Sequence, residues 1–264
     1  MYANNHPALV GSLSSSDPSV KLINFSPGPT SLPKAVEDEI AASFKKPGLT
    51  SLALSHRSPE FLNILDHTTA SIRRIMDIPD DYEVLFTHGG GHGQFAAVPL
   101  NLCHDKSDVA TYIVNGTWTE RACDEAQRFC TVHTIDGRDP AGGYTTFPEL
   151  IEEEIDPKSK FIYLCSNETV NGIENHRLPK LPKSRRHIPL VIDASSDFTT
   201  KPIDWQGEGV GVLFACASKN IGHPGVTLTI VRRDLLGEDK ASPLCPGVFN
   251  YTTNLEADNL WNTP

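Results

Sequence analysis

Short apolar runs bounded by turn residues recur along the chain and alternate with longer amphipathic stretches. The runs are EVLFTH (83–88), VATYIV (109–114), KFIYLC (160–165), PLVIDA (189–194), GVLFACA (211–217) and TLTIVR (227–232). Each is short and several are rich in β-branched or aromatic residues, the pattern of strands buried on both faces. Between them, PKAVEDEIAASFKK, SPEFLNILDHTTASIRRIMD, GQFAAVPLNLC, TERACDEAQRFC and FPELIEEEI predict helices. In the second, Phe61, Ile64, Leu65, Ala70, Ile72 and Ile75 fall near helical spacing, with Ser58 as N-cap and Pro59 at the first helical position. Strands alternating with helices predict an α/β fold in three layers, a mainly parallel sheet flanked by helices. Such sheets bind ligands beyond the C-terminal ends of their strands. Chemistry is therefore expected in the residues that directly follow each run.

Composition narrows the class without identifying it. A chain of 264 residues with 39% hydrophobic and 21% charged residues has ordinary globular usage. A net charge of -10, from 33 acidic and 23 basic side chains, argues against a nucleic-acid surface, so any anion site must be local. No apolar run approaches the ~20 residues needed to span a bilayer, which argues against a membrane protein. Residues 1–23 lack the features of a secretory signal or transit peptide and are expected to be a loose leader ahead of a domain at 24–264. The six cysteines stand singly, without a CxxC pair, as expected of reduced thiols in the cytoplasm.

The strand ends carry the candidate chemistry. After EVLFTH comes GGGHGQF, where Gly89, Gly90, Gly91 and Gly93 let backbone amides approach an anion at a helix N-terminus. The bland alternative is a tight turn. The motif lacks both the Lys-Ser/Thr ending of a nucleotide loop and the GxGxxG spacing of a dinucleotide site. NGTW places Trp118, a core residue or a stacking plate for a planar ring, at the next end. SNETVNG offers Ser166, Asn167 and Thr169 as hydrogen-bonding groups or simple caps. PLVIDA ends with Asp193, a carboxylate costly to bury without a cation or N–H partner. GVLFACASKNIG ends with Ser218 and Lys219, and a lysine desolvated there becomes nucleophilic toward an aldehyde, unless it merely snorkels to the surface. Asp193 has no companion residues at metal-binding spacing, so a metal is the weaker reading. In this order, an anion turn, a stacking Trp, a strand-end Asp and a strand-end Lys describe pyridoxal phosphate.

The runs NFSPGPTSLP, SHRSPEF, GGGHGQFAAVPLNL, CSNETVNGIE, DASSDF, ASKNIGHPG, VRRDLLG and FNYTTNLEADNLWNTP resemble the phosphoserine aminotransferases. These are class V members of the fold type I pyridoxal-phosphate-dependent transferases, and the resemblance covers residues 24–264. It implies a large, cofactor-binding domain in which Lys219 holds the cofactor as a Schiff base and Asp193 pairs with its ring nitrogen. Trp118 would stack on the ring and Thr169 would bond its 3-hydroxyl. Gly91, His92 and Ser218 match phosphate-contacting positions, while Asn262 and Thr263 match residues given to the neighbouring subunit's phosphate, implying a homodimer with shared active sites. His56 and Arg57 match the substrate-anion site, where a guanidinium grips carboxylate or phosphate. The implied reaction is amino transfer between L-glutamate and 3-phosphohydroxypyruvate, giving 2-oxoglutarate and O-phospho-L-serine in serine biosynthesis.

The chain departs from the family in two ways. His92 and Ser218 stand where a basic residue and an amide are usual. The smaller C-terminal domain that completes the family's substrate pocket is not contained in residues 1–264. The second departure supports an alternative expectation, a large-domain form that binds the cofactor or dimerises without turnover.

Overall fold

The structure, a computed structural model, describes residues 28–45, 50 and 53–261. All six apolar runs form strands, to within a residue of the expected bounds: β1 (Tyr82–Thr87), β2 (Val109–Val114), β4 (Ser159–Cys165), β7 (Leu190–Asp193), β8 (Val210–Cys216) and β9 (Thr227–Arg232). They join β3 (Thr131–Asp136) in a seven-stranded sheet of order β1-β9-β8-β7-β4-β2-β3. Strands β5 (Asn167–Glu168) and β6 (Ile173–Glu174) make a separate small hairpin. β3, which the apolar pattern missed, is the edge strand beside β2. Its side chains are less covered than those of β1 at the opposite edge, with Thr131, Thr134 and Asp136 exposed, so it has no continuous apolar run.

From β8 to β3 every pairing is parallel. β9 runs antiparallel to both β8 and β1. The expectation of a mainly parallel sheet therefore holds, and β1 points the same way as β2, β4, β7 and β8. Every residue of β7 is buried because both sheet faces are covered there.

Helices α3 (Gly90–Leu102) and α4 (Thr117–Ala126) cover one face, packing Phe95, Val98 and Ala122 against Tyr112, Tyr163 and Phe214. The opposite face receives Ile72 from α2 (Pro59–Ile75) and Met76 just beyond it, together with Leu178, Leu181, Phe198 and Trp205 from irregular segments. Ser58 caps α2 as its sequence predicts, its hydroxyl accepting from Phe61 N at 3.3 Å, and Pro59 opens the helix. Neither α2 nor α1 (Lys34–Ser43) contains a fully buried residue.

FPELIEEEI is not the expected α-helix. Only a 3-10 turn at Glu152–Glu154 forms, while Phe147 and Leu150 reach the core and Ile151 is exposed. Glutamates at 152–154 would stand at the C-terminal end of such a helix, where its dipole disfavours negative charge.

A buried polar chain ties α5 (Tyr251–Glu256) to the sheet. The Tyr251 hydroxyl donates to Gln94 Oε1 at 2.7 Å, Gln94 Nε2 donates to Thr87 Oγ1 at 3.0 Å, and Thr87 pairs with the Thr229 hydroxyl at 2.9 Å. Gln94→Ala would leave Tyr251 and Thr87 buried without this partner. We expect it to lower unfolding free energy by about 3 kcal/mol in a urea titration. A change below about 0.5 kcal/mol would show that the chain of bonds adds no net stability.

Candidate functional site

Because β1, β2, β4, β7 and β8 share one direction, their C-terminal ends meet at one edge of the sheet. A cavity of about 220 Å³ opens there, lined by Gly91, Trp118, Asn167, Asp193, Ser218 and Lys219 among others. Residues from separate strand ends thus surround one space.

Asp193 lines it. It ends β7, is 5% exposed, and its Oδ1 accepts from Ser195 N at 2.9 Å. Burial pushes its carboxyl up to about 6, against the opposing pull of the Ser195 hydrogen bonds; the negative charge of Glu168 adds to the rise and the Lys219 ammonium subtracts from it. A buried anion with one amide partner fits a cationic ring nitrogen.

Trp118 forms a side wall from the first turn of α4. Its indole Nε1 donates to Thr169 Oγ1 at 3.0 Å and its backbone N to Glu168 Oε2 at 3.0 Å. The Lys219 Nζ stands 5.8 Å from the ring centroid, and the Arg121 guanidinium carbon 5.0 Å.

The glycine turn leads into α3. Gly89 adopts φ 85°, and a Cβ there would lie 2.8 Å from Gly93 Cα; a Cβ on Gly93 would lie 2.9 Å from the His88 carbonyl oxygen. These two glycines are required by close backbone approach. Gly91 is not crowded, since its added Cβ would meet only Cys216 Sγ at 4.0 Å. Gly91 and His92 occupy the first turn of α3, where N–H groups lack intrahelical acceptors and favour an anion. The exposed His92 ring lies 6.0 Å from that of Trp118.

Lys219 is held by its backbone. Ser218, immediately before it, adopts φ 131°, a strained value for a residue with a side chain. Thr30 N donates to Ser218 O at 2.9 Å, and Thr30 Oγ1 donates to Lys219 O at 2.9 Å. Gly28 packs on the lysine stem, where a Cβ would come within 3.3 Å of Lys219 Cγ.

Residues 22–259 match the aminotransferase class-V family. The chain belongs to the class-V aminotransferases. It is 42% identical over 245 residues to a probable phosphoserine aminotransferase of Caenorhabditis elegans, covering 92% of this chain and 64% of that protein. It is 37% identical over 249 residues to the phosphoserine aminotransferase of Albidiferax ferrireducens, covering 91% and 66%. Among solved structures, a pyridoxal-phosphate-bound phosphoserine aminotransferase of Trichomonas vaginalis superposes with a TM-score of 0.81 at 32% identity, covering 91% of this chain and 66% of that one. The class-V chain therefore spans slightly less than two thirds of the length of these relatives.

The site of this class-V chain gathers most of the residues expected from sequence. Gly91, His92, Trp118, Asp193, Ser218 and Lys219 all line the cavity. Thr169 meets it through the Trp118 indole, and its hydroxyl hydrogen stays available to a ligand. His56 and Arg57 lie in the turn before α2 and do not line the cavity of their own chain. Asn262 and Thr263, like the leader at 1–23, lie outside the described residues.

Sequence reasoning missed Glu168, Ser195 and Ser196. Ser195 Oγ accepts from Cys216 N at 3.2 Å, and Ser196 Oγ donates to Asn167 O at 2.9 Å, joining the ends of neighbouring strands. Their signal lay in the polar run SSD after Asp193. Among the described residues no His, Cys, Asp or Glu cluster suits a metal ion, and no helix is long and apolar enough to cross a membrane.

Proposed function

We propose that this chain is the cofactor-binding part of a phosphoserine aminotransferase, exchanging an amino group between L-glutamate and 3-phosphohydroxypyruvate with pyridoxal phosphate as cofactor. The observation that carries the reading is the convergence of Lys219, Asp193 and Trp118 on one cavity at the strand ends. When bound, the cofactor supplies an aldehyde for amine exchange and a ring that draws electrons from the reacting carbon. Asp193 holds a positive charge on the ring nitrogen, and its elevated pKa marks a carboxylate that gains from such a partner. Trp118 covers a ring face and excludes water. The Gly91 and His92 amides, with the Ser218 hydroxyl, take the phosphate. Lys219 Nζ would hold the aldehyde of the cofactor, and its amine, when free, would supply the group that carries a proton. With a histidine at 92 in place of the family's usual basic residue, the reading gives much of the phosphate affinity to backbone amides.

His56 and Arg57 remain candidates for the substrate anion. Since they do not line their own chain's cavity, this role has them reaching the cavity of a second copy, as Asn262 and Thr263 would for the phosphate. A homodimer with shared sites follows from the reading, in the cytoplasm, where the cysteines stay reduced.

The test is to add pyridoxal phosphate and then glutamate to the purified protein. We expect a visible band that shifts as 2-oxoglutarate appears. A stable band with no 2-oxoglutarate would favour the form that binds without turnover; no band at all would reject the cofactor.

A further inference from the structure

Glu168 is a buried carboxylate to which the proposed reaction gives no task. It sits on β5, beside Thr169, and is 0% exposed. Its Oε1 accepts from Thr119 N at 2.7 Å and from the Thr119 hydroxyl at 2.9 Å, while Oε2 accepts from Trp118 N at 3.0 Å. One carboxylate thereby satisfies two N–H groups at the start of α4, where the helix dipole favours an anion. Burial raises its pKa, the Trp118 and Thr119 donors act in the opposite direction, and no ion pair reaches it among the described residues.

The local sequence makes room for this contact. A Cβ on Gly116 would lie 2.4 Å from Glu168 Cδ and 2.6 Å from Oε2, so the residue before α4 has to be glycine for the carboxylate to reach the amides. The residue directly after β5, Thr169, accepts the indole N–H of the same tryptophan at 3.0 Å. Consecutive residues therefore grip Trp118 at its backbone and at its ring. A tryptophan held at both ends has few ways to tilt.

We infer that Glu168 is a positioning residue for the cofactor: by anchoring the Trp118 and Thr119 amides it fixes the indole plane against which the cofactor ring stacks. This rests on the reading of Trp118 as the stacking plate. Glu168→Gln replaces one oxygen with an NH₂ group, which turns a donor toward a buried N–H and breaks a bond on one side of the grip.

The experiment has two arms. In cofactor-free protein labelled with 5-fluorotryptophan, the three tryptophans give three fluorine resonances, and that of Trp118 is assigned by its loss in Trp118→Phe. Glu168→Gln should shift or broaden the Trp118 line and leave those of Trp205 and Trp261 in place. In the second arm, pyridoxal phosphate should bind the variant about tenfold more weakly. In a Trp118→Ala background, the same change should cost less than about twofold, because the plate it positions is gone. An unmoved Trp118 line, or losses that multiply in the double variant, overturns the inference. If Glu168→Gln does not fold, Glu168→Asp, which keeps the charge but withdraws it from the amides, is read in the same two ways. Should the wild-type protein not bind pyridoxal phosphate, the functional reading fails, and the fluorine arm still decides whether Glu168 holds Trp118.

Discussion

Lys219→Ala is expected to remove the visible band formed with pyridoxal phosphate and to lower amino transfer by about 1,000-fold or more, the scale set by losing a positioned proton carrier. The fold should survive. The backbone at this position is fixed by Thr30, which bonds the carbonyls of both Ser218 and Lys219 at 2.9 Å, and alanine keeps both bonds. What disappears is the amine that lies 5.8 Å from the Trp118 centroid, inside the same cavity as Asp193. Borohydride reduction followed by mass spectrometry gives an independent check, since the wild-type chain should gain the mass of the reduced cofactor on Lys219 and the variant should gain none. A cofactor adduct on another lysine in the wild type would remove Lys219 from its role.

Asp193→Asn is expected to act in opposite directions on stability and on turnover. In the cofactor-free protein, burial raises the Asp193 carboxyl from its ordinary 3.8 to about 6. Below the unfolded value both states are protonated, and the folded protein carries no penalty. As pH rises toward 6 the unfolded chain has lost this proton while the folded one still holds it, so stability falls; above 6 the ionised form is buried at full cost. A rise of about 2 units corresponds to roughly 3 kcal/mol. The asparagine variant avoids this cost and keeps an acceptor for Ser195 N. At pH 8 it should therefore unfold at higher urea than the wild type, with the gain shrinking below pH 6 and vanishing below about pH 4. Turnover should fall by about 100-fold or more, because an amide cannot stabilise a positive ring nitrogen. Equal stability at all pH values would mean that Asp193 is solvated in the free protein. Near-normal turnover would contradict its pairing with the ring.

The residues behind the two largest expected effects were legible in the same way, and Glu168 was not. Lys219 and Asp193 stand at the ends of apolar runs, and the rule that α/β sheets bind ligands at those ends pointed to them directly. Ser218, Trp118 and Gly91 were marked the same way, each ambiguous alone. Glu168 was not marked, although it lies between Asn167 and Thr169, both of which were. Within the sequence it is one more acidic residue in a polar turn. Its partners, the amides of Trp118 and Thr119, are about 50 positions away along the chain.

The strands reported themselves because six of them bury nearly every side chain, which leaves long apolar runs. β3 did not, because only Ile135 of its six side chains is buried, so the strand needs few apolar residues, whereas β1 at the opposite edge is mostly buried and kept its apolar run. FPELIEEEI misled because its apolar spacing suits a helix, whereas contacts of Phe147 and Leu150 with the core decide its path. The sequence by itself determined the strand runs, the sheet type, the start of α2 with its cap Ser58 and its first residue Pro59, and the edge at which chemistry would gather, since each follows from local burial pattern, local chain chemistry and chain direction. Only the tertiary structure decided that Glu168 would fill the N-terminus of α4, that Gly89 and Gly93 rather than Gly91 are sterically required, that Thr30 would clamp Lys219, and that His56 and Arg57 stay away from the cavity of their own chain. These depend on distances between segments remote in sequence, which periodicity and composition do not encode.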